Sequence, residues 1–415
     1  DFDLIGVTVV TATYSKTLRF LEKIRPVNSK AFIIIGGPHP TACSEECLNS
    51  DLIDAVMVGE GELPFLKLAE ELSFESGNLG AVPNLVYREG GKIIRNKRSL
   101  PVADLDSLPF PDKEIFNLSA YSSKQKALGD IIASRGCPFH CSNCKPGLDH
   151  IAPYRLRRPE KVVDEIETLV KKYGIRHFTF SDSELVGPEG WVLRFSDELV
   201  HRKVRITFSC NGRTDQANEK VLVALKKAGC VFIGYGAESG SQRVLDEVLK
   251  KGIKLEQTRR VVDLTTRLGI GVGVWFMIGI PGETWEDVLM TIDYSKKLNA
   301  SIIEVNIATP WPDTEFYRIC KEKKWLCETD WSHYNEKSYA AIETPFLSRE
   351  QVTAAFNLFR QGLLDLGWRS DTTRTRFFHP HFVYRTIRSG ISSVLRRGIQ
   401  KEDFTKLGGW LINKF

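Results

Sequence analysis

Residues 134–144 read Ser-Arg-Gly-Cys-Pro-Phe-His-Cys-Ser-Asn-Cys and place three thiols, Cys137, Cys141 and Cys144, within eight positions. The segment follows an apolar run that predicts a buried strand. Three thiolates on one loop can each bind one iron of a cubane cluster and leave the fourth iron open. A structural zinc site would need a fourth ligand, and His140 is poorly placed to close a tetrahedron because it directly precedes Cys141. The loop therefore favours a [4Fe–4S] cluster, with zinc or reduced thiols as the alternative.

Downstream of this loop, apolar strands alternate with amphipathic helices. The helix predicted over Pro159–Tyr173 is typical, because its apolar side chains fall on one face behind an N-terminal proline. Six β/α units suit an open, incomplete barrel better than a closed eightfold one. The predicted strands are Ile131–Ser134, His177–Ser181, Arg205–Ser209, Phe232–Tyr235, Val272–Ile278 and Ile302–Ile307.

Upstream of the loop, strands and helices alternate as well. Predicted strands at Leu4–Val10, Ala31–Ile35 and Ala55–Val58 fit a doubly wound, Rossmann-like α/β sheet. The first residues read directly into a strand, and the opening strand of such a sheet normally has a preceding strand and helix beside it. We therefore expect this domain to be incomplete at its N-terminus.

The composition shifts twice along the chain. Glycines and prolines gather over residues 73–129 and predict a small hairpin region with a linker. After Trp331 the strand signals fade, and Arg349–Gly367 and Tyr384–Phe415 are predicted as helices. We therefore expect a Rossmann-like domain with its linker over residues 1–110, a barrel over 111–330 and a small helical C-terminal domain over 331–415.

The overall composition limits the classes of function that this chain can have. Lys and Arg number 57 against 52 Asp and Glu, and a net charge of +5 gives no reason to expect nucleic acid as a partner. No apolar run is long enough for a transmembrane segment. Nine cysteines are too few for a disulfide scaffold, so a reducing, cytoplasmic location is predicted. Outside the loop, Cys210 and Cys230 are interpreted as small buried hydrophobes.

The cysteine loop follows the first predicted strand of the barrel, and polar or glycine-rich segments follow the other five. They cover residues 180–184, 209–213, 234–241, 276–284 and 309–315. Together with the cysteine loop, these segments resemble the radical S-adenosylmethionine (SAM) superfamily, in which a three-cysteine loop follows the first strand of a partial β/α barrel. The strand ends of such a barrel form its reactive face. The resemblance implies a [4Fe–4S] cluster on the three cysteines, with the SAM amino and carboxylate groups on the free iron.

The resemblance also implies contacts to SAM. Arg213 and Ser239 are candidates for its carboxylate, since an arginine can bind a carboxylate through two hydrogen bonds. Glu238 would reach the ribose hydroxyls. Where the family often has an aromatic residue before the third cysteine, this chain has Asn143. The resemblance assigns the amino end of SAM to Ser181, Asp182 and Ser183. A polar strand-to-helix turn would explain the same segment equally well.

Two glycine-containing segments near the N-terminus, residues 6–10 and 35–41, resemble part of a cobalamin-binding domain, and residues 59–62 follow where that family has a turn. Small residues at strand ends let a large macrocycle lie against the backbone. A generic doubly wound fragment is the alternative. The resemblance gives His39 a packing or cofactor-tail role and not that of a cobalt ligand. The implied cobalamin contacts are Thr8, Val9, Val10, Gly36, Gly37, Gly59 and Glu60.

Taken together, the two regions resemble cobalamin-dependent radical SAM enzymes. That family implies reductive cleavage of SAM to methionine and a 5′-deoxyadenosyl radical, hydrogen abstraction from an unactivated carbon of a small-molecule or lipid-like substrate, and methyl transfer from cobalamin. Carbon methylation is the predicted activity, and oxidative cyclisation or rearrangement is the alternative. A non-catalytic cobalamin or iron–sulfur sensor is less favoured, because it would not need ligand-type residues at six strand ends. A reducing partner such as flavodoxin or ferredoxin is implied. Candidate walls of the substrate site are Tyr235, Trp275 and Trp311, for which packing in the core is an equal alternative.

Overall fold

Two α/β sheets organise the part of the chain that the computed structural model describes, which is residues 2–74, 77–115, 129–144, 153–328, 330–336 and 340–365. The first sheet has five strands in sequence order, with β1–β3 parallel and an antiparallel hairpin, β4–β5, beside β3. Its strands are β1 Leu4–Thr8, β2 Phe32–Gly36, β3 Ala55–Met57, β4 Leu85–Glu89 and β5 Lys92–Arg95.

Successive side chains of the first sheet enter two different apolar clusters. Ile33 and Ile35 of β2 are fully buried in one cluster, while Ile34 packs in another on the opposite face. Alternate residues of a strand point to opposite faces, and both faces of a parallel sheet are normally covered. The predicted Rossmann-like architecture is therefore confirmed. The helices of this region are α1 Tyr14–Ile24, α2 Pro38–Ala42, α3 Ser44–Cys47 and α4 Glu62–Leu72.

The second sheet is the open barrel. Six strands lie in the order β13-β12-β11-β10-β9-β6, and every described pair is parallel. This confirms the prediction of a six-stranded, incomplete barrel. In chain order the strands of this sheet are β6 Asp130–Ile131, β9 His177–Phe180, β10 Thr207–Gly212, β11 Cys230–Glu238, β12 Gly271–Ile278 and β13 Ile302–Ile307. Between β6 and β9, strands β7 Ser134–Arg135 and β8 Arg155–Leu156 form a separate antiparallel ribbon.

Helices cover the convex side of the barrel sheet. The predicted helix Pro159–Tyr173 is confirmed: Val162 and Ile166 are fully buried, and Gly174, with φ of 70°, ends the helix. The helices are α5 Pro159–Tyr173, α6 Glu189–His201, α7 Glu219–Ala228, a π-helix Val244–Val248, α8 Leu255–Arg267, α9 Trp285–Lys296, α10 Glu315–Glu322 and α11 Arg349–Asp365. Short 3-10 turns occur at Thr11–Thr13, Leu79–Ala81, Leu105–Ser107 and Trp331–His333.

The prediction that the first barrel strand covers Ile131–Ser134 is wrong for the second half of that range. Only Asp130–Ile131 joins the sheet, and Ser134–Arg135 turns away to pair with β8. The cause is Asp182, whose carboxylate accepts hydrogen bonds from the backbone N–H groups of Ala133 and Ser134. These bonds replace the sheet hydrogen bonds that a longer strand would have made.

The C-terminal region is described in part. Residues 1–367 belong to one compact unit, and helix α11 lies against the barrel, with the Phe359 ring 5.7 Å from that of Phe276. The predicted helix Tyr384–Phe415 lies outside the described residues. The bounds of the three domains given above remain predictions. Among the described helices, none combines the length and apolarity needed to cross a membrane.

Candidate cofactor site at the strand ends

The backbone of the cysteine loop lies close to distant backbone segments at its start and is hydrogen-bonded to others within the ligand triad. Gly136, just after β7, has φ of +83°, and a Cβ there would lie 2.9 Å from the Pro153 carbonyl oxygen. Ser142 donates its N–H to the Leu249 carbonyl at 3.0 Å and its hydroxyl to the Val248 carbonyl. The Phe316 N–H donates to the Ser142 carbonyl at 3.1 Å. The loop is therefore held in place by distant backbone groups and does not depend on bound iron alone.

The three thiols lie near enough for their charges to act on one another. Burial, and secondarily Cys141, raises the pKa of the Cys144 thiol to about 12, with Cys137 adding to the effect. Within the described residues, no three ligating side chains come close enough together to hold a single metal ion. A cluster binds each thiolate to a different iron, whereas tetrahedral zinc needs all ligands on one ion. Three cysteines therefore suit a cubane cluster, which leaves its fourth iron open, better than they suit zinc, which needs a fourth ligand.

Arg213 lies directly beside the cysteine loop. Its guanidinium donates to Cys141 Sγ at 3.3 Å and stacks on the Phe139 ring, with Cζ 3.8 Å from the ring centroid. Asp215 orients the same guanidinium through two hydrogen bonds of 2.9 and 2.8 Å. Burial opposes the charge of Arg213, but Asp215 and Cys141 together raise its pKa. A fixed positive charge therefore faces a cluster ligand, although Asp215 already occupies the bidentate position that a SAM carboxylate would take.

Glu238 forms a nearly buried ion pair at the end of β11. Its Oε1 lies 2.6 Å from Lys251 Nζ, and the two side chains are only 14% and 10% exposed. The Glu238 backbone has φ of 63°, a strained conformation for a residue with a Cβ and one that is common at ligand sites. Burial opposes protonation of Lys251, but Glu238 and then Cys141 more than offset it, so its pKa is raised. Sequence reasoning missed Lys251, because Lys-Lys-Gly after a helical segment reads as an ordinary surface turn.

A cavity of about 650 Å³ lies between the two sheets, where the strand ends of both face each other. The first sheet contributes Thr8 and glycines, and the barrel contributes the start of the cysteine loop and the segment after β9. Pockets that hold cofactors are commonly of this size. Among the predicted contacts, the wall includes Thr8, Gly36, Gly37, Gly59, Glu60, Ser181, Asp182 and Ser183.

Four of the predicted ligand contacts are placed differently. Val9 is fully buried in the core of the first sheet, because it alternates with the cavity-lining Thr8, and Val10 is exposed and is not part of the described cavity wall. Ser239 is fully buried and hydrogen-bonded to the Thr291 hydroxyl at 3.1 Å, and its assignment to the SAM carboxylate stays a prediction. The fourth contact, Glu60, lies on the wall, but an arginine holds its carboxylate.

That arginine is Arg155 of β8, which binds both Glu60 carboxylate oxygens. Glu60 also accepts the Val102 N–H at 3.2 Å, and Arg155 also donates to the Pro153 carbonyl at 3.1 Å. Burial alone would raise the pKa of Glu60, but Arg155 lowers it on balance. Arg135, which precedes the cysteine loop, lies 3.7 Å from Glu60 and pairs with Glu62. A charged bridge therefore joins the cavity wall of the first sheet to the ribbon that leads into Cys137.

The segment after β9 lines the cavity, and its Asp182 carboxylate also has a structural role. Both oxygens of Asp182 accept backbone N–H groups, and burial raises its pKa to about 6. The Ser181 hydroxyl donates to Asp130 at 2.7 Å. Asp182 thus shapes the wall, and its carboxylate is already satisfied by the protein.

Three other buried polar groups belong here, of which only Asn143 was noted from the sequence, as a departure from the family pattern. Glu184 and Glu283 each have one carboxylate oxygen without a hydrogen-bond partner, and burial raises their pKa values to about 7 and about 8. The Asn143 side-chain oxygen, next to Cys144, is also buried without a partner. An orphaned acceptor costs free energy unless a ligand supplies a donor. Asn143 therefore fits a ligand with an N–H group beside the cluster, such as the amino group of SAM or of its adenine.

Several other sequence interpretations can be compared with the structure. Cys210 and Cys230 are buried, as predicted. His39 is fully buried and its ring lies 4.4 Å from that of Tyr14, so its predicted packing role is confirmed. Burial lowers the His39 pKa to about 4 and keeps the ring neutral.

The three aromatic residues predicted as walls of the substrate site lie in different places. Tyr235 is buried toward the helices, with its hydroxyl 3.1 Å from that of Thr265, and is not a wall residue. Trp311 packs against the core of the first sheet. Trp275 remains partly exposed on the concave face of the barrel.

Comparison with known proteins agrees with both halves of this site. The family model of the radical SAM superfamily matches residues 131–295, and that of the B12 binding domain matches residues 1–69. An uncharacterized methyltransferase of Pyrococcus horikoshii is 31% identical over 336 residues, which cover 80% of this chain and 72% of that protein. An anaerobic magnesium-protoporphyrin IX monomethyl ester cyclase of Rubrivivax gelatinosus is 30% identical, over 77% of this chain and 59% of its own length.

Solved structures show the same fold. The radical SAM methyltransferase TsrM of Kitasatospora setae superposes with a TM-score of 0.67 at 23% identity, covering 79% of this chain and 66% of that one. The cobalamin-dependent radical enzyme OxsB gives 0.69 at 19% identity, over 86% of this chain and 57% of that one. The chain belongs to the cobalamin-dependent radical SAM family, whose cofactors are a [4Fe–4S] cluster, SAM and cobalamin.

Proposed function

We propose that this protein methylates an unactivated carbon of a small-molecule substrate in a reaction that uses SAM and cobalamin. The cavity carries the proposal, because one space is walled by Thr8, Gly37 and Gly59 of the cobalamin-type sheet and by Ser134–Gly136 of the cysteine loop. Methyl donor and radical source would therefore meet at one opening. The Pyrococcus relative, which is named a methyltransferase, supports the same activity.

The chain's own residues would bind the cofactors as follows. Cys137, Cys141 and Cys144 hold the cluster, and the glycines at the strand ends leave room for the corrin. When bound, the cluster supplies the electron that cleaves SAM, and cobalamin supplies the methyl group. The cations Arg213 and Lys251 stabilise the anionic charge of the thiolates.

SAM would be oriented by groups that the fold fixes beforehand. Lys251 holds one oxygen of Glu238, and the carboxylate retains lone pairs that can accept ribose hydroxyls. The unpartnered oxygen of Asn143 would accept an N–H of the ligand. These groups lie at the carboxyl ends of barrel strands or in the loop beside them, where such ligands bind.

Oxidative cyclisation is the second candidate. It is supported by the relatives named as cyclases, at 30% identity in Rubrivivax gelatinosus and 27% in Cereibacter sphaeroides. Both reactions start from the same cleavage of SAM, so the two candidates differ in their products and not in the first cofactor step.

The test is anaerobic reconstitution with iron, sulfide and hydroxocobalamin, followed by SAM, a chemical reductant and mass spectrometry. We expect 5′-deoxyadenosine from the wild type and from Cys327→Ala, an exposed cysteine outside the site, and none from Cys141→Ala. S-adenosylhomocysteine would support methylation, whereas 5′-deoxyadenosine without it would favour cyclisation. Equal 5′-deoxyadenosine from wild type and Cys141→Ala would contradict the proposal.

We also infer a cytoplasmic protein that receives electrons from a flavodoxin or ferredoxin. Nine cysteines in 415 residues are too few for a disulfide scaffold, and three of them are crowded into a metal-type loop, which suits a reducing compartment. Replacing the chemical reductant with reduced flavodoxin in the same assay tests the partner, and no product above the protein-free control would exclude that donor.

A further inference from the structure

Two neighbouring glycines lie on the concave face of the barrel sheet. Gly234 of β11 and Gly273 of β12 are directly paired in register. The residues that follow them, Tyr235 and Val274, are fully buried on the convex face, so the two glycine positions belong to the barrel interior. A glycine inside a strand weakens the strand and often marks a place where another group approaches closely. The pair therefore points to a group that lies directly against this part of the sheet.

That group is the indole of Trp275. A Cβ on Gly273 would lie 1.8 and 2.0 Å from two carbons of its six-membered ring. A Cβ on Gly234, in the adjacent strand, would lie 3.1 Å from a third carbon of the same ring. Three ring carbons thus lie against two strands, and the indole lies across the sheet. Glycine at both positions makes room for it.

The ring of Phe232 extends the same surface. A Cβ on Gly271, which is paired with Phe232 in register, would lie 3.1 Å from this ring. The centroids of the Phe232 and Trp275 rings are 6.3 Å apart, and their planes are inclined by 37°. Both side chains are partly exposed. Together the two rings form an aromatic floor, Phe232 and Trp275, on the inner side of the barrel.

The aromatic floor lies next to the charged pair at the strand ends. Trp275 is paired with Gly236, and a Cβ on Gly236 would lie 2.9 Å from Lys251 Nζ, which is bound to Glu238. The indole extends in the opposite direction along the strands, over Gly273. Ligands react at the carboxyl ends of barrel strands. A molecule resting on the floor would therefore direct one edge toward the cofactor end of the barrel.

We propose that the substrate carries a planar conjugated ring, which stacks on the aromatic floor. Glycine backbone covers one face of the indole, so the opposite face is the one that opens to the interior. A flat ring can contact that face over its whole area, and aromatic pairs gain more than the burial of apolar area alone. A puckered, saturated ring would make fewer contacts. The proposal rests on the proposed function, because it assigns the substrate class of the same barrel interior.

The test compares 2-phenylethanol with 2-cyclohexylethanol by saturation-transfer NMR on the reconstituted protein. The two probes share one skeleton and carry no charge, and the saturated ring is the more apolar, so burial alone would not favour the phenyl compound. We expect wild type to bind 2-phenylethanol about two- to tenfold more tightly, the range of an aromatic pair. Equal affinity, or tighter binding of 2-cyclohexylethanol, would overturn the proposal.

Variants assign the preference to the indole. Trp275→Leu should abolish it, and Trp275→Phe should keep part of it. Trp285→Leu makes the same change at a tryptophan of α9 that is 37% exposed, and this control should bind both probes as wild type does. If Trp275→Leu melts at a lower temperature but keeps the preference, the indole only covers the glycines and the proposal is wrong.

A second change leaves the indole in place and provides the test if Trp275→Leu does not fold. Gly234→Ala adds a Cβ 3.1 Å from the ring and 2.6 Å from the Asn211 side-chain oxygen, so it should lift the ring from the sheet. We expect a smaller preference for 2-phenylethanol, and a preference equal to that of wild type would contradict the stacking geometry.

The same preparations are assayed for 5′-deoxyadenosine, which separates the two proposals. If 5′-deoxyadenosine forms but wild type does not prefer 2-phenylethanol, the substrate class is wrong and the proposed function stands. If the preference is present but no 5′-deoxyadenosine forms, the proposed function fails, and the assignment of the ring to a substrate fails with it.

Discussion

Replacing Glu60 with glutamine tests the charged bridge between the two halves of the site. Glu60 is 11% exposed and Arg155 8% exposed, and both carboxylate oxygens contact the guanidinium. Removing one partner of a buried ion pair costs about 3–5 kcal/mol, since the other charge stays buried. Arg155 keeps the carbonyls of Val102 and Pro153 as acceptors, which places the expected loss at the lower end, about 3 kcal/mol.

The assay is thermal unfolding of Glu60→Gln beside Glu62→Gln. Glu62 pairs with Arg135, but these side chains are 37% and 30% exposed, so that loss should stay below about 1 kcal/mol. For a unit of this size, ~3 kcal/mol corresponds to about 4 °C in Tm, from the usual unfolding entropy per residue.

Hydrogen exchange provides the second readout. Glu60→Gln should speed exchange at the amides of Gly59–Gly61 and of Ser134–Arg135 together, because the bridge connects them. A Tm loss no larger than that of Glu62→Gln, or faster exchange on one side alone, would refute the idea that a buried pair couples the two segments.

Three further changes test the site. Gly136→Ala forces a Cβ to 2.9 Å from a backbone oxygen at φ of +83°, so we expect less iron per chain after reconstitution, and wild-type iron content would contradict it. Arg213→Gln removes the positive charge 3.3 Å from Cys141 Sγ and should make the cluster potential more negative, since the reduced cluster loses a stabilising charge; an unchanged redox titration would count against this. Burial raises the Glu283 pKa to about 8, so protonated Glu283 stabilises the fold fully at acid pH and this contribution disappears as pH rises through about 8. Urea stability of wild type should therefore fall more than that of Glu283→Gln between pH 5 and 8, by at most about 4 kcal/mol, and parallel curves would exclude this role.

The features that could be predicted from sequence are local. The cysteine spacing, the strand ends and the helix behind Pro159 each depend on residues within one short window. The bridge between Glu60 and Arg155 joins residues 95 positions apart, and neither neighbourhood signals a buried partner. Lys251 was missed for the same reason.

Strand geometry adds detail that the motifs do not contain. Thr8 and Val9 were both predicted as cobalamin contacts, but adjacent strand residues point to opposite faces, so only the Thr8 side chain lines the cavity. Ser239 follows Glu238, and only Glu238 emerges at the strand end, while Ser239 bonds inward to Thr291. Strand-end motifs thus locate the region of a site, and the alternation of side chains decides which of its members face a ligand.

The π-helix at Val244–Val248 has a consequence for engineering the cysteine loop. Its last carbonyl, Val248, and that of the next residue, Leu249, accept the hydroxyl and N–H of Ser142, in the middle of the ligand triad. The π-helix is rare and is frequent at functional sites. The eleven-residue loop therefore cannot be transferred to another barrel by itself. Without this turn it would lack the two carbonyl acceptors of Ser142, even if all three cysteines were present.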